Sequence, residues 1–342
     1  MKAIVQDEYG PVEVLHLADI EKPVPGPSDV LVRVYAAGVD AGVWHVTTGM
    51  PYMVRLMGLG LRAPKGRVRG TEFAGVVEAV GEAVGKNVAG VQPGAMDVRP
   101  GDEVFGACPP LGDQGSFADY TLGSPARLAR KPTNLTFEEA AVVPVSGCTA
   151  LQGLRAGAVE PGKTVLVIGA SGGVGTFAVQ LAKAFGAEVT GVCSAAKADL
   201  VGSIGADQVL DYERVDIADG SRRYDLILDN GGRRPLSHLR RALTPRGTLV
   251  IVGGDGGNRW TGGFERQMLT APLVSLAVSQ SLRPLNAKVQ ASDLDILRGL
   301  IEAGKVTPMV DRAYPLAQAP EAVRDLHDGR VRGKLVLSIE RS

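Results

Sequence analysis

Residues 164–175, TVLVIGASGGVG, decide the fold of this chain. The first five predict a buried strand, the glycine cluster predicts a tight turn, and the periodic apolar residues that follow predict a helix beginning near Val174. Gly172 and Gly173 allow the backbone to approach a pyrophosphate without hindrance from a Cβ atom, and Gly175 allows the helix to pack closely on the strand. The N–H groups at the start of this helix favour phosphate binding. The sequence therefore predicts a dinucleotide-binding turn with four contact residues, Ser171, Gly172, Gly173 and Val174.

The end of the next predicted strand, residues 188–192, distinguishes the two nicotinamide dinucleotides. Enzymes that prefer NAD place an Asp or Glu on the ribose 2′-hydroxyl about 20 residues beyond the glycine turn. Here the strand is followed by CSAAK at 193–197, and the first carboxylate is Asp199. Ser194 and Lys197 supply a hydroxyl and an ammonium that suit a 2′-phosphate, so we predict NADPH as the cofactor. In the alternative interpretation Ser194 only caps the following helix and Lys197 is solvated.

Length and composition indicate a globular protein of two domains. The chain has 342 residues, of which 45% are hydrophobic, and its 37 basic and 37 acidic side chains cancel. Such a balance gives no electrostatic attraction for nucleic acid or an anionic membrane surface, and we expect neither as a partner.

The N-terminus lacks the apolar core of a signal peptide, which predicts a cytoplasmic protein. Three cysteines without a C-x-x-C pair argue against a disulfide framework or a structural zinc site.

The spacing of apolar residues, glycine and proline changes along the chain. Before residue 130, glycine and proline separate short alternating runs, which predicts a β-rich domain. From about Leu151, near-continuous apolar strands alternate with helices, which predicts a parallel, doubly wound sheet. We expect residues 333–339 to form a strand that returns to the first domain. The apolar run at residues 271–278 predicts an edge strand. Soluble proteins tend to cover such strands, and pairing with a second subunit would do so, which predicts a homodimer. Residues 85–101 are expected to form a surface loop.

Five segments taken together resemble the medium-chain dehydrogenase/reductase superfamily: the nucleotide turn, GTEFAGVV at 70–77, RPGDEVFG at 99–106, VVPVSGCTA at 142–150 and LIEAGKVTP at 300–308. Within it the chain is most similar to the zinc-free quinone oxidoreductases, the relatives of zeta-crystallin. The resemblance implies an α/β protein with a GroES-like β-rich catalytic domain at 1–128, completed by 303–342. It also implies a Rossmann domain with a doubly wound parallel sheet at 129–302, and an active site in the cleft between the two domains.

The resemblance also addresses zinc. Alcohol dehydrogenases of this superfamily hold a catalytic zinc with Cys, His and Cys, which correspond here to Asp40, Thr71 and Val145. Threonine and valine cannot replace imidazole and thiolate as ligands, and Glu72 with Asp40 does not complete a tetrahedral site. His45, the nearest imidazole, reads as a packed or surface residue. The resemblance therefore implies a site without metal.

Without zinc, the acceptor must be polarised by hydrogen bonds. Hydride transfer from NADPH to an enone or a quinone creates an enolate or a hydroquinone anion, which needs donors and a proton. Related reductases place a tyrosine near the loop at residues 47–52, so Tyr52 is the candidate catalytic donor. The alternative is that Tyr52 forms part of an apolar wall of the substrate pocket. Asp40, where the family often has Asn, is the second residue expected in that pocket.

The resemblance implies further cofactor contacts. Thr149 matches a position beside the nicotinamide, although it also suits the first turn of a helix through Leu154. Tyr212 matches a residue that flanks the adenosine phosphate, or else it only packs. Asn230 and Gly253 end two further strands at the edge where such sheets bind ligands. Lys334 belongs to a tail motif that approaches the cofactor, with a solvated lysine as the alternative.

The leading hypothesis is thus a zinc-independent, NADPH-dependent reductase of small-molecule quinones or α,β-unsaturated carbonyls. Two alternatives stay open at this point. One is an NADP-dependent alcohol dehydrogenase or ketone reductase, and the other is a non-catalytic, NADPH-binding protein like zeta-crystallin.

Overall fold

The structure is a computed structural model that describes residues 1–85, 97–109, 114–253, 259–260 and 262–339. The chain forms two compact units. The first comprises Met1–Cys148, Val289–Gly304 and Pro308–Ser342, and the second comprises Thr149–Lys288 and Lys305–Thr307. Residues 129–148 and 289–302, which the sequence-based division gave to the Rossmann domain, thus pack with the first unit. The boundaries of the family's domains stay a prediction, and most of the expected surface loop at 85–101 lies outside the described residues.

The strands, in chain order, are β1 (Lys2–Val5), β2 (His16–Asp19), β3 (Val30–Val39), β4 (Glu72–Val80), β5 (Glu103–Ala107), β6 (Tyr120–Gly123), β7 (Leu128–Arg130), β8 (Thr164–Ile168), β9 (Glu188–Cys193), β10 (Gln208–Asp211), β11 (Tyr224–Asp229), β12 (Leu243–Ile251), β13 (Ser281–Pro284), β14 (Val310–Pro315) and β15 (Lys334–Ser338).

The α-helices are α1 (Ala41–Thr48), α2 (Phe137–Ala141), α3 (Pro144–Ala156), α4 (Gly173–Ala184), α5 (Ala198–Ser203), α6 (Leu236–Arg241), α7 (Gly262–Ser275), α8 (Ala291–Glu302) and α9 (Ala319–His327). A 3₁₀ helix at Ala195–Lys197 and a π-helical turn at Arg55–Leu59 also matter for the site. In the part of the chain that the structure describes, we find no helix with the length and apolar character that a membrane span requires.

The first unit is built on a mixed sheet with the order β14-β15-β3-β4-β5-β7, and β6 pairs with β3 as well. The long strand β3 is almost wholly buried because its Val, Leu and Ala residues pack into the main core of this unit. Strand β15 pairs antiparallel with β3 and parallel with β14. The expected return of the C-terminal strand to the first domain is therefore confirmed.

The second unit contains a six-stranded sheet with the order β10-β9-β8-β11-β12-β13, in which every pairing is parallel. Because all five pairings are parallel, the carboxyl ends of the six strands lie at one edge of the sheet. The chain runs outward from β8 in one direction through β9 and β10, and in the other through β11, β12 and β13. The predicted doubly wound sheet is confirmed, with β8 and β11 at the point where the order reverses.

The glycine turn has the geometry that its sequence predicts. Gly169 follows β8 with a φ of +74°, a conformation that favours glycine. Helix α4 begins at Gly173, one residue earlier than predicted. A Cβ atom on Gly175 would overlap the Gly169 carbonyl oxygen and the backbone of Ala170, so only glycine permits this approach of helix to strand.

The predicted edge strand at residues 271–278 is wrong. Helix α7 extends to Ser275 through Pro272, and the edge strand is β13. A short apolar run does not distinguish a strand from a helix, and here the exposed leucines, Leu269 and Leu273, recur at helical spacing. The homodimer was predicted from this edge strand. It no longer has that support and stays a prediction.

Candidate active site

The predicted cofactor residues of the second unit meet at the carboxyl edge of its parallel sheet. Ser171 and Gly172 lie between β8 and α4, and Gly173 and Val174 are the first two residues of α4. Ser194 follows β9, Tyr212 follows β10, and Asn230 follows β11. Gly253 comes two residues after β12. Ligands of doubly wound sheets bind at this edge, beside the point where the strand order reverses.

The start of α4 leaves space for a phosphate. Gly172 is the N-cap residue of the helix, and no side chain caps this end. A Cβ atom on Gly172 would meet only the Gly169 carbonyl oxygen, at 3.5 Å, so the space above this residue is open. Ser171 is buried beside it. An uncapped helix N-terminus with an open approach suits the pyrophosphate of a dinucleotide.

The tips of β9 and β10 lie side by side, with Cys193 opposite Asp211 in register. Ser194 begins the 3₁₀ helix that contains Lys197, but its side chain makes no capping hydrogen bond, so the capping alternative is wrong. Lys197 is half-buried rather than fully solvated. Half of the surface of Tyr212 is exposed, although its backbone N–H donates to the Cys193 carbonyl at 3.2 Å. Ser194, Lys197 and Tyr212 therefore all follow the tips of two neighbouring strands, where Asp211 also places a carboxylate.

Asn230 connects the two strands at the reversal point. Its Nδ2 donates to the Ile168 carbonyl at 2.9 Å, which ties the end of β11 to the end of β8. Its Oδ1 is buried and accepts no hydrogen bond within the described part of the chain. Buried polar atoms normally have partners, so this acceptor fits a donor on a bound ligand. With the open turn at Gly172, it makes the edge suitable for a nicotinamide dinucleotide.

Asp229 is a residue that the sequence analysis overlooked. Its Oδ1 accepts from the backbone N–H groups of Gly231 at 3.0 Å and Gly232 at 3.2 Å, so it fixes the turn after β11. Burial raises the pKa of this carboxyl, although the two N–H groups oppose the shift. The sequence does contain a signal for this role of Asp229: it is an acidic residue that ends an apolar strand and is followed by Asn-Gly-Gly.

Thr149 is the sixth residue of α3, so its placement in the first turn of that helix is wrong. Its contact with the nicotinamide stays a prediction.

In the first unit, the position that corresponds to a catalytic zinc is organised around Glu72. Its carboxylate is fully buried, with Oε1 accepting from Lys334 Nζ at 2.5 Å and Oε2 accepting from the Val145 N–H at 2.7 Å. The ion pair joins β4 to β15 across the intervening strand β3. Gly38 of β3 lies opposite Glu72, and a Cβ atom there would overlap Oε1. Glycine at this position is therefore what allows the two charges to meet.

Lys334 is only 2% exposed, so the alternative of a solvated lysine is wrong. Burial raises the pKa of Glu72, and the Lys334 ammonium opposes this shift. The nearby carboxylate of Asp40 raises the pKa of Glu72 further. The ammonium of Lys334 is thus bonded to a protein carboxylate, and its contact with the cofactor stays a prediction.

The donor set at this position does not fit zinc. Asp40 caps α1 by accepting from the Gly42 N–H at 2.7 Å, and both oxygens of Glu72 are already bonded. Thr71 and Val145 offer neither thiolate nor imidazole. His45 Nδ1 lies 2.8 Å from the Met50 carbonyl oxygen, as expected of a packed residue. Across the described ranges, we find no cluster of three His, Cys, Asp or Glu side chains that could hold a metal ion.

A cavity of about 100 Å³ lies within the first unit. Its apolar lining includes Val43, Val46, Leu59 and Val68, and its polar lining includes Lys65, Arg69, Thr71, Cys108 and Gln114. Neither Asp40 nor Tyr52 lines it, so their contact with substrate stays a prediction. Sequence reasoning missed Arg69 and Gln114, because nothing in the local pattern marks either residue as part of a cavity wall.

Tyr52 lies in a loop that Arg55 holds in place. The Arg55 guanidinium lies 4.9 Å from the Tyr52 ring centroid and 4.3 Å from that of Tyr9. It also donates to the carbonyls of Gly49 at 2.9 Å and Thr48 at 3.2 Å. These contacts fix the position of the tyrosine ring, whether the phenol serves as a donor or as a pocket wall.

The three cysteines are buried, free thiols. Burial raises the pKa of Cys108 to about 11 and that of Cys148 to about 12, and it also raises the pKa of Cys193. Cys108 Sγ lies 3.2 Å from Thr121 Oγ1. These thiols are protonated at neutral pH and are poor nucleophiles.

Replacing Lys334 by Met should reduce the free energy of unfolding by about 3–5 kcal/mol, because Glu72 would keep a buried charge without a partner. Combining it with Glu72→Gln should recover much of this loss. Lys2→Met is the matched control, since Lys2 and Asp19 form an exposed pair and its loss should cost less than about 1 kcal/mol. Urea unfolding measures all three. Equal losses for the two single lysine variants would contradict the importance of the buried pair.

Comparison with known proteins agrees with this architecture. The family model of the alcohol dehydrogenase GroES-like domain matches residues 26–152, and the model described as zinc-binding dehydrogenase matches residues 204–337. The mitochondrial NAD(P)H oxidoreductase RTN4IP1 of Mus musculus is 31% identical, over 99% of this chain and 89% of its own length. An NAD-dependent alcohol dehydrogenase of Saccharolobus solfataricus is 33% identical, over 98% of this chain and 99% of its own.

Among solved structures, the quinone oxidoreductase from Coxiella burnetii superposes with a TM-score of 0.81 at 27% identity, over 99% of both chains. The relatives include proteins that use nicotinamide cofactors, and the fold is a GroES-like domain combined with a Rossmann-type parallel sheet. The chain therefore belongs to the medium-chain dehydrogenase/reductase superfamily, as a nicotinamide-dependent oxidoreductase similar to the quinone oxidoreductases.

Proposed function

We propose that this enzyme uses NADPH, without zinc, to reduce a quinone or an α,β-unsaturated carbonyl compound. One observation carries the proposal: Glu72 and Lys334 form a buried ion pair beside the residues that the resemblance assigns to the catalytic zinc of the zinc enzymes. The bound coenzyme would supply the hydride. The chain itself must then bind the acceptor, exclude water and provide a proton.

The absence of zinc ligands limits which acceptors are suitable. Reduction of a simple ketone places full negative charge on one oxygen, and zinc stabilises that charge directly as a Lewis acid. An enone or a quinone spreads the charge over a conjugated system, so hydrogen-bond donors suffice to stabilise it. Thr71 lines the first-unit cavity and offers a hydroxyl, and Tyr52 is the candidate for the proton.

A turnover screen with NADPH tests the proposal against its competitor. Quinones, enones and saturated ketones are supplied in turn, before and after dialysis against a chelator, and the products are identified. We expect loss of the carbon–carbon double bond or formation of hydroquinone, at a rate that the chelator leaves unchanged. Similarity to the alcohol dehydrogenase of Saccharolobus solfataricus favours a second candidate, a ketone or alcohol oxidoreductase. A secondary alcohol as the main product, or stoichiometric zinc in the purified protein, would support that candidate instead.

The preference for NADPH rests on the corner formed by Ser194, Lys197 and Tyr212. A cationic side chain and a hydroxyl suit a 2′-phosphate, and the segment CSAAK at 193–197 contains no carboxylate, although Asp211 ends the neighbouring strand β10.

Lys197→Ala should reduce the ratio of NADPH affinity to NADH affinity by about tenfold, since a hydrogen bond to a charged group contributes about 1.5–3 kcal/mol. Fluorescence titration with both reduced coenzymes measures the ratio. Lys163→Ala is the matched control, because Lys163 precedes β8 at the opposite edge of the same sheet and should leave the ratio unchanged. Equal affinities in the unaltered protein would refute the preference.

Tyr52→Phe should reduce kcat by at least about 100-fold if the phenol gives the proton, since general acid catalysis contributes about 10²–10⁴-fold. NADPH affinity should change little. Tyr120→Phe, which removes a hydroxyl from β6 of the same unit, serves as the control. Steady-state kinetics at saturating coenzyme separate the two roles of Tyr52. An unchanged kcat would make it a wall of the pocket.

A further inference from the structure

Arg69 is a buried cation in the first unit. It is only 5% exposed, and it lines the cavity described above. Its backbone is fixed on both sides, because its N–H donates to the Ile4 carbonyl at 3.0 Å and its own carbonyl accepts from the Phe117 N–H at 2.8 Å. The side chain therefore starts from a rigid position and cannot reach solvent by a shift of the main chain.

The charge of Arg69 lacks an acidic partner among the described residues. Its guanidinium donates to the Gly66 carbonyl, while Nε is buried and makes no hydrogen bond. Burial lowers the pKa of this guanidinium to about 10, with the Tyr9 phenol opposing the shift, so the group is still charged at neutral pH. A buried charge without a counter-charge is costly, and proteins rarely keep one unless a ligand completes the site.

The other lining residues indicate the chemistry of that ligand. The buried Oε1 atom of Gln114 accepts no hydrogen bond in the described part of the chain, so it fits a donor group elsewhere on a ligand and not the anion that Arg69 would bind. Valine and leucine side chains form the rest of the wall, and Lys65 is exposed. The buried part of the lining thus combines one positive charge with a largely apolar surface. A single carboxylate on an organic group matches this combination, whereas a phosphate dianion would bring more charge than Arg69 balances.

Size is compatible with such a group. A cavity needs about 10–15 Å³ to hold one water, so about 100 Å³ admits a carboxylate with part of its carbon skeleton. The planar guanidinium offers paired N–H donors that match the two oxygens of a carboxylate.

We propose that the first-unit cavity binds the carboxylate of an acidic substrate through Arg69, so that the preferred acceptor is a quinone or an unsaturated carbonyl compound that carries a carboxylate. The substrate class rests on the proposed function, but the carboxylate site itself does not, and the two are tested separately.

Binding without turnover tests the site. Thermal unfolding is measured with benzoate, with its neutral analogue benzamide and with inorganic phosphate. Benzoate should raise the Tm of the unaltered protein in a concentration-dependent manner, and benzamide should not. Arg69→Met should abolish the effect of benzoate, and Arg69→Lys should weaken it while keeping the charge. Arg67→Met is the matched control, since Arg67 lies two residues away in an exposed pair with Asp7, and it should keep the full response.

The variant itself should fold, because Arg69→Met removes a buried charge that has no counter-charge among the residues that the structure describes. We expect its Tm without ligand to equal or exceed that of the unaltered protein. If it unfolds instead, the response of Arg69→Lys decides the question. A benzoate response that persists in the Arg69 variants, or a stronger response to phosphate than to benzoate, would overturn the carboxylate site.

Turnover tests the substrate class. An enone that carries a carboxylate is compared with its methyl ester, and the ratio of their kcat/KM values is measured. The ratio should favour the acid at least tenfold in the unaltered protein and in Arg67→Met, and it should collapse in Arg69→Met. A ratio near one in the unaltered protein would overturn the preference for acids. If neither compound is reduced, the proposed function fails, while the benzoate experiment still decides whether the cavity binds carboxylates.

Discussion

The first unit depends on the ion pair between Glu72 and Lys334. It joins side chains that are 262 positions apart in the sequence, and it holds the C-terminal strand to the sheet in one register. A buried pair of this kind adds little to stability compared with apolar residues of similar size, but removing either member leaves an isolated charge. It therefore acts mainly as a constraint on which arrangement of strands is allowed. The constraint extends to Gly38, since any side chain there would separate the two charges.

The second unit depends on the parallel arrangement of its sheet. Every strand pairing in its sheet is parallel, so the loops after the strands gather at one edge, and the residues that could contact a dinucleotide come from five different strand ends. The turn at Gly169 and the close packing at Gly175 bring the start of α4 to the centre of that edge. Coenzyme binding is thus a property of the topology, with the individual side chains adjusting which coenzyme is preferred.

The sequence predicts those parts of the molecule whose causes are local. The nucleotide turn, the parallel sheet and the return of β15 were predicted because strand periodicity and glycine spacing are visible within short windows. The end of the helix at Gly262–Ser275 was mistaken for part of a strand at 271–278, because a short apolar run does not distinguish the two and Pro272 argues against a helix. The contacts of Lys334 and Arg69 were out of reach, because burial of a charged side chain depends on residues far away in the chain.

The three buried thiols have a consequence for an enzyme of this class. Enones and quinones are electrophiles that alkylate cysteine through its thiolate form, and a protonated thiol reacts far more slowly. Cys108 lines the cavity, yet burial raises the pKa of its thiol despite the opposing hydrogen bond with the Thr121 hydroxyl, so the sulfur stays a neutral thiol. Burial of the three thiols thereby lowers their reactivity toward electrophiles of the kind that the proposed function would bring to the protein.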